Sequence, residues 1–341
     1  MSNNFIRKNI QQLVPYSSAR DEFKGEATTF MDANENPFPP PYNRYPDPLQ
    51  KALKRKLCEL KGVNSSQIFV GNGSDEAIDL LIRACCEPYQ DSILITEPTY
   101  GMYAVCAGVN AVSIQQVPLL PGFMLDVNLL IRSVTSQTKI IFLCSPNNPS
   151  GNLLEREKVE MVLQNFTGLV VIDEAYIDFA NDPGFISYLN RYPNLVILQT
   201  LSKAWGLAGL RLGLCFASEE IIQALNKIKY PYNINTLTQQ IALEALSDQD
   251  QMKLWVNTIL LEREKLRESL QKLKIVLNVF PSDTNFLLVK VVNAKTVYQA
   301  LLKKGIVVRD RSSVKGCVDC LRITVGTPAE NELLINALKT I

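Results

Sequence analysis

The 341-residue chain contains no histidine. That absence removes Ser-His-Asp and Cys-His catalysis, imidazole general bases and most protein zinc sites. If the chain is an enzyme, its protons move through Lys, Tyr, Asp, Glu or a cofactor. An excess of one charge is also missing. The 35 basic residues nearly cancel the 34 acidic ones, so nothing points to nucleic acid or an anionic membrane surface. No apolar run approaches the roughly 20 residues of a spanning helix. Residues 1–10 are polar and lack the apolar stretch of a secretory signal. The expectation is a cytoplasmic protein without nucleic-acid or membrane partners. The 8 cysteines sit mostly in apolar runs, where a reduced thiol behaves as a small hydrophobe. Cys317 and Cys320 form a C-x-x-C, but no second pair completes a zinc set, so they read as structural and no metal is expected.

With 47% hydrophobic residues the chain can build a large core. Apolar, β-branched runs recur at 67–70, 92–96, 139–144, 169–173, 195–200 and 212–217. They are continuous rather than alternating, as expected of strands buried on both faces. Helical patterns lie between several of them, at 75–86 and 155–166. Strands alternating with helices predict an α/β architecture with a mainly parallel sheet flanked by helices. The Pro-rich segment 1–48 reads as an extended arm. Beyond it, 252–273 predicts a long amphipathic helix. It is followed by strands at 285–292, 305–309 and 321–325 and a helix at 294–304. The expected organisation is a large domain over 46–250 and a smaller α+β domain built from both chain ends. That smaller part takes in 251–341 and some of the arm at 1–45.

The chemistry-bearing residues fall just after the buried strands, where open α/β sheets bind ligands. Gly71-Asn72-Gly73-Ser74-Asp75-Glu76 follows a strand and opens a helix, a place where backbone N–H groups can meet an anion. Taken alone, it reads more readily as a common capped turn than as a phosphate site. Cys144-Ser145-Pro146-Asn147-Asn148-Pro149-Ser150-Gly151 reads first as a turn. Leu169-Val170-Val171-Ile172-Asp173-Glu174-Ala175-Tyr176 ends an apolar strand in carboxylates, which can cap a helix, hold a protonated ring nitrogen or bind magnesium. The stretch 200–211 is the most informative. Thr200, Ser202, Lys203 and Arg211 stand among small and apolar residues. A lysine in such surroundings has a lowered pKa and serves as nucleophile and base. The hydroxyls and the arginine suit a phosphate dianion.

Several motifs in one order, from Pro15-Tyr16 to Gly326-Thr327-Pro328, make the chain resemble the fold-type-I pyridoxal-phosphate aminotransferases, and the histidinol-phosphate branch in particular. The resemblance implies pyridoxal phosphate as cofactor and Lys203 as the amine that binds it covalently and then moves a proton. It implies that Asp173 pairs with the ring nitrogen, which keeps the ring an electron sink. Asn148 and Tyr176 match donors to the ring oxygen, and Tyr100, in Pro98-Thr99-Tyr100-Gly101, matches the aromatic stacked on the ring. Ser74, Asp75, Thr200, Ser202 and Arg211 match the phosphate-binding groups. Tyr45 matches a tyrosine reaching the phosphate from a partner subunit, which implies a homodimer. Tyr16, Asn36, Arg309 and Arg322 match substrate-binding residues. The implied reaction moves an amino group between histidinol phosphate and 2-oxoglutarate, giving imidazole-acetol phosphate and glutamate. The same residues would also serve an aromatic or broad-specificity aminotransferase or a threonine-phosphate decarboxylase. A non-catalytic cofactor-binding module on this fold is the alternative from another class. Trp205 and the 312–319 loop depart from the family pattern.

Overall fold

A computed structural model describes residues 5–17, 23, 25, 27–38 and 41–341. Pro39 and Pro40, part of the Pro-rich arm, lie outside the described residues.

The continuous apolar runs become the strands of a seven-stranded sheet. They are β1 (Ile68–Asn72), β2 (Ser92–Glu97), β3 (Ser113–Pro118), β4 (Thr138–Cys144), β5 (Leu169–Asp173), β6 (Leu195–Thr200) and β7 (Leu212–Phe216). Their order is β1-β7-β6-β5-β4-β2-β3. The pairs between β3 and β6 are parallel, whereas β7 is antiparallel to both of its neighbours. The β6–β7 connection is short and carries Lys203. A parallel return would need a crossover of a dozen or more residues.

Alternate residues of each strand feed two cores. Ile141, Leu143, Val170, Ile172 and Ile197 pack with the helices Lys51–Lys61, Arg156–Asn165 and Thr236–Ser247. Ile140, Phe142, Leu169, Val171 and Val196 pack with Ser74–Cys85, Met102–Val109 and Glu219–Ile228 on the other face. A sheet covered on both sides needs apolar residues at every strand position, which is why these strands read as unbroken runs. The N-terminal segment joins the second core. Ile6 is buried there, and Arg7 N donates to Ala84 O at 2.8 Å.

A second, antiparallel sheet follows, in the order β10-β11-β9-β8. Its strands are β8 (Val276–Val279), β9 (Phe286–Val291), β10 (Arg309–Asp310) and β11 (Cys320–Thr324). Of the expected strand over 305–309, only Arg309 falls in a strand, the two-residue β10. The helices Gln249–Gln271, Ala294–Lys303 and Pro328–Leu338 bury one face of this sheet. Thr327 caps the last of these helices through a capping box with Glu330, and Pro328 fills its first turn.

Candidate active site

The carboxyl ends of β4, β5 and β6 open onto one cleft. Its walls bring together ten of the residues singled out from sequence: Ser74, Asp75, Tyr100, Asn148, Asp173, Tyr176, Thr200, Ser202, Lys203 and Arg211.

One end of the cleft is built for an anion. Gly73, at φ +76°, precedes the helix that starts at Ser74. The first N–H groups of a helix have no partner within it. Gly213 in β7 lets this turn approach the sheet, because a Cβ there would lie 2.1 Å from Ser74 N. A Cβ at Gly73 would fall 2.6 Å from Arg211 Nη2, so glycine also makes room for the guanidinium. Arg211 is anchored through its own backbone, its carbonyl accepting from Gly73 N at 2.7 Å. Its Nη2 lies 3.5 Å from Asp75 Oδ2. Thr200 Oγ1 accepts from Ser202 N at 3.0 Å, which turns the start of the β6–β7 loop toward the same end.

The floor holds a buried carboxylate. Asp173 ends β5 and is 3% exposed. Tyr103 donates to its Oδ2 at 2.6 Å, and Ala175 N donates to its Oδ1 at 3.0 Å. Desolvation raises the Asp173 pKa against these two hydrogen bonds. Among the described residues no Lys or Arg lies within ion-pair distance of it. The floor therefore suits a ligand that brings a cationic N–H.

Lys203 Nζ lies 5.6 Å from the Tyr176 ring centroid. Its side chain is reachable from solvent, yet desolvation first, then Arg322 and Arg211, lowers its pKa. That favours the neutral amine, which is both nucleophile and base. Tyr100 donates to Asp75 Oδ1 at 3.0 Å. Tyr176 is buried, and burial raises its pKa, so it remains a hydroxyl donor.

The smaller sheet supplies the outer wall. Arg322, in β11, donates from Nη1 to Asn148 Oδ1 at 2.6 Å and lies 5.3 Å above the Phe286 ring. This bond leaves the Asn148 amide N–H₂ free to serve the cleft. Arg309 sits directly opposite Arg322 in the β10–β11 register. Tyr16, Asn36 and Tyr45 lie away from the cleft lining. Tyr16 is 75% exposed. Asn36 belongs to the arm, where its Oδ1 accepts from Phe38 N at 3.0 Å. Tyr45 lines a second cavity with Asn235 and Leu237, and its ring stacks on Tyr232 at 4.4 Å. Glu35 fixes its backbone, accepting from Tyr45 N at 2.7 Å.

Sequence reading did not single out Tyr103. It lies one helical turn past Tyr100 and reads as a core aromatic, stacked on Phe142 at 4.7 Å. Its hydroxyl was the available signal, since a buried phenol needs a hydrogen-bond partner.

A lysine and a buried carboxylate beside a helix start is an arrangement with known relatives. The family model described as aminotransferase class I and II matches residues 29–338. The chain belongs to the class I and II aminotransferases. A histidinol-phosphate aminotransferase of Parabacteroides distasonis is 58% identical over 338 residues, covering 99% of this aminotransferase and 98% of the relative. Among solved structures, the histidinol-phosphate aminotransferase from Clostridium acetobutylicum superposes with a TM-score of 0.82 at 27% identity, over 88% of this chain and 90% of that one. The enzyme of the same name from Sinorhizobium meliloti, solved in complex with pyridoxal-5'-phosphate, gives 0.80 at 27% identity, over 87% and 82% of the two chains. Among the described residues no helix is long and apolar enough to cross a membrane, and no cluster of metal ligands is present.

Proposed function

We propose that this aminotransferase uses pyridoxal phosphate to move an amino group between histidinol phosphate and 2-oxoglutarate, yielding imidazole-acetol phosphate and glutamate. The observation that carries the reading is the cleft itself. A lysine of lowered pKa shares it with a carboxylate that, among the described residues, has no cation within ion-pair distance, beneath an arginine wall. The names of the relatives support histidinol phosphate as the substrate.

The residues present fit the cofactor. Asp173 needs the countercharge that a protonated ring nitrogen would bring. The Gly73 turn, the Ser74 helix start, Thr200, Ser202 and Arg211 make a cradle for its phosphate. When bound, pyridoxal phosphate supplies an electrophilic carbon and a ring that takes up an electron pair. Lys203 would bond that carbon at rest and, once freed, carry a proton at Nζ. No other group in a histidine-free cleft is as well suited to that task. Tyr176 and Asn148 would donate to the ring oxygen, and Tyr100 would cover the ring face. Arg322 would hold the anionic group of either substrate, the phosphate of histidinol phosphate or the carboxylate of glutamate, and Arg309 would join it on the phosphate monoester. Guanidinium binds both anions bidentately, so one wall serves both half-reactions. Tyr16 and Asn36 would reach the substrate from the arm.

We assign the assembly as a homodimer in the cytoplasm. Tyr45 of one subunit would meet the cofactor phosphate of the other, which agrees with its exposure outside its own cleft. We divide the chain near residue 250, with Lys203 on the larger part and Arg322 on the smaller.

The test is the visible absorbance of the cofactor-loaded enzyme. Histidinol phosphate should remove the long-wavelength band, and 2-oxoglutarate should restore it. A band indifferent to histidinol phosphate but bleached by phenylalanine would overturn the substrate.

A further inference from the structure

The outer wall contains a third arginine that the reaction as described does not use. Arg311 N donates to Cys320 O at 2.9 Å, which carries the antiparallel ladder one step beyond β10. Residues two apart in extended chain project from the same face. Arg311 therefore leaves the sheet on the side of Arg309, whose cross-strand partner is Arg322. That side faces the cleft, because Arg322 reaches Asn148 there.

The three guanidiniums gather without a countercharge. Among the described residues, none of Arg309, Arg311 and Arg322 forms an ion pair with a carboxylate. Like charges opposed across an antiparallel pair are destabilising. Burial, then Arg322 and Arg309, makes Arg311 a weaker base than usual. Arg311 Nε and Ser312 Oγ are also buried without a hydrogen-bond partner among the described residues. Buried donors in native proteins are nearly always satisfied. An anion that carries more than one charge and several acceptor oxygens would balance these guanidiniums and accept from Arg311 Nε. A phosphate monoester has both, whereas a single carboxylate supplies one charge and two oxygens.

We propose that Arg311 is a specificity residue that binds the phosphate monoester of the amino substrate beside Arg309. The inference rests on the aminotransferase reading and deepens it. Arg309 alone would bind a phosphate and a carboxylate in similar fashion. A second guanidinium beside it weights the site toward the dianion.

The experiment uses cofactor-loaded wild type, Arg311→Gln and Arg311→Lys. It compares kcat/KM for histidinol phosphate with that for unphosphorylated histidinol, and measures inorganic phosphate binding by calorimetry. Arg311→Gln should lower the preference for the phosphorylated substrate by about tenfold or more, the worth of one charged hydrogen bond. Phosphate binding should weaken in parallel. Arg311→Lys keeps the charge without the fork and should fall between. An unchanged preference in Arg311→Gln, with phosphate binding within about twofold of wild type, overturns the proposal and leaves the substrate reading standing. Equal losses on both substrates mean that Arg311 only supports the loop, and overturn it likewise. A wild type without preference for the phosphorylated substrate overturns the substrate reading and this proposal together.

Discussion

The hydroxyl of Tyr103 donates to the Asp173 carboxylate at 2.6 Å from a position with no solvent exposure. The bond ties the helix Met102–Val109 to the end of β5 and helps keep Asp173 ionised against its burial. Tyr103→Phe keeps the ring stacked on Phe142 and removes only the donor. It leaves one carboxylate oxygen unpaired in the core, which costs about 1–3 kcal/mol. Chemical denaturation of the cofactor-free protein should show that loss. An unfolding free energy equal to wild type would mean that the hydroxyl supports nothing.

This relationship also marks a limit of sequence reading. The buried strands β4, β5 and β6 are plain in the sequence because both faces are covered. Each ends in a residue or loop with chemistry: Asn148, Asp173 and Lys203. The edge strand β3 is not plain. Gln116 is exposed, Gln115 is half-buried and accepts from Thr138 Oγ1 at 2.8 Å, and only Val117 is buried, so no apolar run announces it. The reversal of β7 is hidden too, because an apolar run has no direction. Pairings such as Tyr103 with Asp173 join residues 70 apart in sequence and depend on how the helix rotates on the sheet. Arg309 and Arg322 can be found in the sequence, but their cross-strand register cannot.

Lys203 is the amine through which the cofactor would attach. Lys203→Ala should lower turnover by about a hundredfold to ten-thousandfold, the usual worth of a positioned proton carrier. A second measurement isolates attachment. After borohydride reduction, the wild-type peptide containing Lys203 should gain a phosphopyridoxyl group, the cofactor less one water plus two hydrogens, and the variant should gain none at any lysine. Labelling of a different lysine in the wild type would move the site elsewhere.

Arg322 and Arg309 should separate in their effects. Arg322 is half-buried and hydrogen-bonded to Asn148, on the outer wall of the cleft. Arg309 is exposed at the rim. Arg322→Ala should damage both half-reactions, with losses of about tenfold to a hundredfold in kcat/KM, the range of a lost charged hydrogen bond. Arg309→Ala should damage the phosphorylated substrate more than glutamate. Steady-state kinetics on each substrate pair decide it. Equal losses in Arg309→Ala would remove this residue from its assigned role.

Glu174 gives the fold a pH dependence of its own. It follows Asp173 but serves the neighbouring loop. Its Oε1 accepts from Phe185 N at 2.6 Å and its Oε2 from Gln199 Nε2 at 2.9 Å. Gly184, at φ +72°, presses against it: a Cβ there would lie 2.6 Å from Oε1. Burial pushes the carboxyl up to about 7 from an ordinary 4.5, against the two hydrogen bonds. The folded chain thus holds this proton more tightly than the unfolded chain. The resulting stability is fully present below pH 4.5 and is lost as the pH rises through about 7. A shift of this size corresponds to roughly 3 kcal/mol. Glu174→Gln cannot titrate, and it loses one of the two acceptors, so it should be less stable than wild type at pH 5. Wild type should lose stability between pH 5 and pH 8, and the variant should lose less, which narrows the gap between them. Denaturation of both cofactor-free proteins at the two pH values measures the difference. Parallel pH profiles would show that Glu174 stays ionised throughout, with the hydrogen bonds from Phe185 and Gln199 outweighing its burial.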